Sequence, residues 1–204
     1  MKILIACEFS GIVRDAFTKL GHDVTSCDLL PTERPGKHYQ GDVFDIINDG
    51  WDMMIAHPPC TYLTVTGNKW MLPEFESRFP ERKKQRETAI EFFMRLVDIN
   101  IPKIVIENPI GIMSTIWRKP DQIIQPYQFG HPVRKSTCLW LKGLSKLQQT
   151  NIVDYEIDIF KSGNRQSKWH TETGKINNRV QRSKERSRTF QGIADAMASQ
   201  WGDL

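Results

Sequence analysis

No apolar run in this sequence approaches the roughly 18 residues that a membrane span requires. The short apolar start, Lys2 to Ala6, also lacks the layout of a signal peptide. A cytoplasmic protein without a membrane partner is the expectation. Cysteines are few and scattered. Cys7, Cys27, Cys60 and Cys138 form no C-x-x-C pair, which argues against a zinc cluster or redox motif and for free thiols in a reducing compartment. No metal is expected. Internal repeats and low-complexity segments are also missing, which excludes repeat architectures. With 39% hydrophobic and 25% charged residues, neither disorder nor a fibrous architecture follows. At 204 residues the chain is long enough for one substantial core, so one domain with an appendage is expected.

Acidic residues are nearly missing from one segment. Lys161 to Arg188 holds nine basic residues against Glu172 and Glu185, a net +7 within a chain of net +4, so the remainder carries −3. Such a concentration attracts polyanions, and Trp169 and His170 within it can stack on a base. The alternative is a solvated charged face.

Lys2-Ile3-Leu4-Ile5-Ala6 reads as a strand, and Ile12-Val13, Ala16-Phe17 and Leu20 recur at helical spacing before Gly21, a helix stop. Asp23 to Cys27, Asp52 to Ala56 and Lys103 to Ile106 read as further strands. Arg82 to Val97 carries Ile90, Phe93, Met94 and Val97 on one face, so a helix joins the last two. Alternating strands and helices predict an α/β fold with a mainly parallel sheet and helices on both faces. Periodicity fades from Lys142 to Arg188, apart from a strand at Tyr155 to Phe160, and an excursion is expected there. Phe190, Ile193, Ala194, Met197 and Trp201 form a final amphipathic helix that packs back on the sheet.

Ligands of such sheets bind beyond the carboxyl ends of the strands. The unusual residues fall there. Phe9-Ser10-Gly11 follows the first strand and precedes a helix, where backbone amides and the helix dipole can hold a cofactor; a tight turn needing glycine is the alternative. Asp28 ends the second strand, where nucleoside-binding folds place an acid for a ribose hydroxyl; otherwise it is a cap or turn residue. Gly41-Asp42-Val43 supplies another acid beside a turn. In His57-Pro58-Pro59-Cys60 two prolines stiffen the backbone and present the thiol in one direction, which suits a nucleophile, although a cysteine is also often a small buried hydrophobe. Glu107 ends a buried apolar strand, a costly place for a carboxylate unless it is bonded or used.

Taken in order, these elements resemble the DNA (cytosine-5)-methyltransferase family over most of residues 1–141. Phe9-Ser10-Gly11 resembles its F-x-G cofactor turn, Ser26-Cys27-Asp28 the acidic end of its second strand, and Gly41-Asp42-Val43 the motif whose acid lies near the adenine. Trp51-Asp52 through Pro59-Cys60 and Leu63-Thr64 is similar to the D-x-x-x-x-x-x-P-C-x-x-F-S stretch. Ile106-Glu107-Asn108-Pro109 resembles the E-N-V motif, and Phe129-Gly130-His131-Pro132 with Arg134-Lys135 the segment that positions base and phosphates.

The resemblance implies a Rossmann-like fold that uses S-adenosylmethionine, held by Phe9, Ser10, Gly11, Asp28, Asp42 and Pro58. Cys60 and Glu107 would be catalytic. Asn108, Pro109, Arg134, Lys135 and Trp169 would meet the substrate, DNA that is single-stranded or has its cytosine flipped out. It further implies a core over 1–141, a basic recognition excursion over 142–188 and a returning helix over 189–204.

This chain departs from the family in three places. Val133-Arg134-Lys135-Ser136-Thr137 lacks the second arginine of Q-x-R-x-R, and Gln191-Gly192-Ile193-Ala194 stands where G-N-x-V is usual. The recognition region is also short, which fits low sequence specificity, a second copy or partner subunit, or a non-duplex substrate. Small stand-alone enzymes of this form resemble those of bacteriophages and prophages. An amino-methyltransferase, an enzyme acting on RNA or a free nucleotide or transferring another group, and a non-catalytic nucleic-acid-binding protein are the competing readings.

Overall fold

The structure, a computed structural model, describes residues 1–203. In chain order its elements are β1 (Lys2–Ala6), α1 (Ile12–Lys19), β2 (Asp23–Asp28), β3 (His38–Gln40), β4 (Met53–Ala56), α2 (Arg82–Val97), β5 (Lys103–Pro109), α3 (Met113–Ile116), β6 (Gln122–Ile124), β7 (Thr137–Lys142), β8 (Ile157–Ile159), β9 (Arg165–Ser167), α4 (Lys168–Gly174), α5 (Arg179–Ser187) and α6 (Gln191–Trp201). Seven strands form one sheet in the order β3-β2-β1-β4-β5-β7-β6. The first five are parallel, and β7 runs antiparallel to both β5 and β6.

Strand alternation divides the core between two faces. Ile3, Ile5, Met53, Ile55 and Val105 point to one side and pack with Val13 and Phe17 of α1 and with Ile193, Met197 and Trp201 of α6. Leu4, Ala6, Met54, Ala56, Ile104 and Ile106 point to the other, under Phe93 and Leu96 of α2 with half-buried Ile90, Met94 and Val97. Both faces of a parallel strand are thereby covered, so its sequence reads as an unbroken apolar run. The fold is the expected Rossmann-like α/β arrangement with helices on both faces.

β3, β6 and β7 lie outside the predicted strands. The first two have three residues each, too short for a periodic signal, and Thr137–Lys142 is apolar on both faces and so does not alternate. β5 runs on through Glu107, Asn108 and Pro109 because β7 pairs with it as far as Pro109↔Thr137. Within residues 142–188, Leu147 is buried in the core. β8 and β9 make a separate two-stranded sheet, and α5 buries none of its residues, which is why no hydrophobic period announces it. Among the described residues no helix is long and apolar enough to cross a membrane.

The chain leaves β1 toward β2 and β3, then returns to place β4 on the other side of β1. That reversal opens a crevice at the carboxyl ends of β1 and β4.

Candidate active site

The start of α1 is closed by the chain's own carboxylate. Glu8 is buried; its Oε1 accepts hydrogen bonds from the Val13 amide at 2.7 Å and the Ser10 hydroxyl at 3.2 Å, and its Oε2 accepts from the Arg14 amide at 3.2 Å. The Ile12 amide donates to the Ser10 hydroxyl. A helix N-terminus attracts anions through these same groups. Here they are taken, so the Phe9-Ser10-Gly11 turn offers no open phosphate slot.

Arg14, fully buried, donates to Ser26, Thr32 and the Arg34 and Pro35 carbonyls and so anchors the loop between β2 and β3. Gly11, at φ 72°, leaves room for that guanidinium, since a Cβ there would lie 2.5 Å from it.

Beyond β1, β2, β3 and β4 lies a cavity of about 610 Å³, within the range of small-molecule sites. Cys7, Asp28, Asp42, Val43, Pro59 and Tyr62 line it from the strand ends, and Gln85, Thr88, Ala89 and Phe92 of α2 form its far wall. Asp28 Oδ1 accepts from the Leu30 amide at 2.9 Å. Burial raises its carboxyl above the ordinary value against that bond and others. Asp42 caps the short helical turn 43–45, its Oδ1 accepting from the Phe44 amide. Two of the six expected cofactor residues, Asp28 and Asp42, thus line the cavity; Phe9, Ser10, Gly11 and Pro58 do not. The α2 wall and the Glu8 cap are additions that no local pattern in the sequence marks.

Cys60 follows Pro59 at the cavity rim and is half-buried. The turn before it is held at two points. The His57 amide donates to the Ala6 carbonyl at 2.9 Å, and Asn108 Nδ2 donates to the Pro58 carbonyl at 2.8 Å. Asn108, expected beside the substrate, is therefore spent on the turn, and its Oδ1 is buried without a partner among the described residues. Pro109 sits in the ladder opposite Thr137.

After the turn, the loop is stitched to the one following β5. The Ile112 amide donates to the Leu63 carbonyl at 2.8 Å, and the Val65 amide to Ile110. Gly111 permits this, because a Cβ there would lie 2.2 Å from the Leu63 carbonyl oxygen.

Glu107 Oε2 lies 3.1 Å from His57 Nδ1, with the two side chains 20% and 9% exposed. Burial alone would raise the Glu107 carboxyl. The His57 hydrogen bond, with the charges of His57 and Lys135, outweighs it and holds the group below the usual carboxylate range. Burial pushes the Cys60 thiol up, the Glu107 charge pushes it further, and Lys135 opposes both. At rest the pair is thus a neutral thiol beside a carboxylate.

Arg134, Lys135, Arg165, Trp169 and His170 line a second cavity of about 390 Å³. Lys135 Nζ donates to the Arg186 carbonyl at 2.8 Å and lies 5.6 Å from the centre of the Trp169 ring. Three of the five expected substrate residues therefore meet in one basic cleft. Lys135 lies on it while acting on Cys60 and Glu107, and Pro59, next to the thiol, lies on the first cavity. Among the described residues no group of three His, Cys, Asp or Glu is placed to hold a metal ion.

No family model matches this chain, and no curated protein matches it. Among solved structures it is similar to a prophage-encoded protein of E. coli provisionally named a DNA modification methyltransferase, at 16% identity and TM-score 0.48, over 76% of this chain and 52% of that one. The chain thus spans about half the length of that structure. It is also similar to a glycopeptide N-methyltransferase, at 14% identity and TM-score 0.27, over 92% of this chain and 76% of the other.

Proposed function

We propose that this chain is an S-adenosylmethionine-dependent methyltransferase that acts on position 5 of cytosine in DNA, with Cys60 as nucleophile and Glu107 as acid. One observation carries the reading. A rigidly presented thiol follows β4, a half-buried carboxylate in β5 is paired with His57 and acts on that thiol, and Pro59 beside the thiol lines a nucleoside-sized cavity.

The cofactor fits this chain on two counts. The cavity has an acid at the end of β2 for a ribose, and Glu8 fills the helix terminus that a pyrophosphate would need. A nucleoside without phosphates suits both features. Asp28 and Asp42 would hold it by its polar edge, with Val43, Ala89 and Phe92 against its rings. When bound, S-adenosylmethionine supplies a methyl group activated by its sulfonium centre.

The chain's own residues do the rest. Cytosine is a poor nucleophile at position 5, so Cys60 adds to position 6 and makes position 5 resemble an enamine. Addition needs a proton on the ring nitrogen, and Glu107 delivers it; once position 5 carries the methyl group its proton passes to water, the C–S bond breaks and Cys60 leaves. Asn108, through the Pro58 carbonyl, keeps the Cys60 turn in place. Arg134 and Lys135 hold the backbone of the nucleic acid, and Trp169 offers a ring for stacking.

Incubation with labelled S-adenosylmethionine and DNA containing 5-fluorocytosine tests this, because fluorine at position 5 blocks release. A covalent adduct on Cys60 is expected, with none in Cys60→Ser. Turnover surviving in Cys60→Ser would point to methylation of an amine, and labelling of RNA alone would move the substrate. Absence of both adduct and labelled base with single- and double-stranded DNA overturns the reading.

A further inference from the structure

His57 has no role in the reaction described above, yet it is the hydrogen-bond partner of Glu107, 50 residues away in sequence. Its backbone is locked to β1 and followed by two prolines, so the ring has little freedom. Because the Glu107 carboxyl is ionised, the shared hydrogen lies on Nδ1, which donates to Oε2. Nε2 is buried and has no hydrogen-bond partner among the described residues. A buried ring with one nitrogen unpaired is costly unless the contact at the other nitrogen is needed.

We propose that His57 is the positioning residue of the Cys60–Glu107 pair, keeping the single negative charge of that pair on Glu107 until the substrate base arrives. The inference rests on the reading of Cys60 and Glu107 as the reacting groups.

The proton count supports it. At rest the pair is thiol plus carboxylate; the reactive form is thiolate plus carboxylic acid. One proton leaves Sγ and one reaches a Glu107 oxygen, so the net charge is unchanged. The thiolate then forms the C–S bond, the displaced electron pair moves to the ring nitrogen, and that nitrogen takes the Glu107 proton. His57 favours the resting form, which protects the thiol from stray electrophiles and from oxidation. The other titratable or charged groups around Glu107 are Lys135, ahead of β7, and Cys138 within it. Lys135 favours the charged form of both Glu107 and Cys60 and so does not choose between them as His57 does, and burial keeps Cys138 protonated, its thiol pushed up to about 11.

The test needs neither cofactor nor DNA. Alkylation of Cys60 by iodoacetamide is followed against pH by peptide mass spectrometry in the full chain. In Glu107→Gln the midpoint should fall by about one pH unit, the effect of removing a like charge at close range. In His57→Leu burial is no longer opposed by the hydrogen bond and should raise the Glu107 carboxyl, so alkylation at neutral pH should be faster than in wild type, by up to about tenfold for each unit by which the thiol falls when that charge is lost. His57→Gln keeps an N–H donor and should stay near wild type, which separates loss of the bond from loss of packing. A wild-type alkylation rate at neutral pH in His57→Leu, or no shift of the midpoint in Glu107→Gln, overturns the proposal. Shifted midpoints without any fluorocytosine adduct would retain the pairing and remove only the assigned reaction.

Discussion

Asp28 shows how a single residue can set fold and site against each other. Its carboxyl is raised mainly by burial, so the fold favours the neutral form. The stability it contributes is present below the ordinary carboxylate range and is lost as pH rises through the raised value. Asp28→Asn should therefore raise the melting temperature at neutral pH, with the difference closing as pH falls through the carboxylate range. The same variant should lose most of the thermal stabilisation expected from the proposed cofactor, S-adenosylmethionine, which for wild type would be about 2.7 kcal/mol at a hundred times Kd. A melting series with and without the cofactor measures both. Glu107 has the opposite sign: its lowered value contributes stability at neutral pH that disappears as pH falls.

At the scale of elements, the site depends on loops that follow different strands. The segment after β4 and the segment after β5 meet through backbone bonds at Leu63, Val65, Ile110 and Ile112, and only glycine fits between them at position 111. Gly111→Ala should force these loops apart at a cost of about 1–3 kcal/mol. For a domain of this size that is about 2–4 °C in melting temperature per kcal/mol. Because Cys60 anchors the same loop through the Leu63 and Thr64 amides, its alkylation should become faster in this variant. Calorimetry and the alkylation assay check the two effects. A similar constraint explains Gln191-Gly192-Ile193-Ala194. The Gly192 amide donates to His131 Nε2 at 2.9 Å, and a Cβ there would lie 1.9 Å from the Phe129 carbonyl oxygen. The glycine serves helix packing, a role that the loose match to G-N-x-V does not reveal.

Across the whole molecule, the basic residues of the segment Lys161 to Arg188 and of the Arg134-Lys135 turn divide between those that hold the fold and those that line the second cavity. Arg188 pairs with Glu33 in the β2–β3 loop, Arg186 donates to the His170 carbonyl and Thr173, and Lys184 lies 5.5 Å from the centre of the Phe9 ring. Arg134 and Arg165 instead line the second cavity. Neutralising Arg134 and Arg165 should weaken nucleic-acid binding and flatten its salt dependence by about 1 in log–log slope for each phosphate that is no longer neutralised. Arg188→Ala should leave that slope unchanged and cost up to about 1 kcal/mol of stability, as for other partly exposed ion pairs. Anisotropy titrations of a labelled oligonucleotide at several salt concentrations separate the two classes.

The sequence determined the layout of the core. Strand ends were legible at Ala6 and Ala56 because apolar runs stop abruptly there, the end of β5 was not because its pairing with β7 carries it on to Pro109, and α2 and α6 were legible because one face of each is apolar. Those signals are local, arising from burial at fixed periods of 2 and 3.6 residues. Tertiary structure alone decided which polar groups face one another: Glu8 folding back onto α1, Asn108 holding the Pro58 carbonyl, His57 paired with Glu107, and α2 walling the cavity. No period encodes the Glu8 cap, five and six residues long, or the His57–Glu107 and Pro58–Asn108 contacts between residues 50 positions apart. The latter exist because parallel crossovers bring successive strand ends to one edge of the sheet, where a buried polar group must be bonded or exposed.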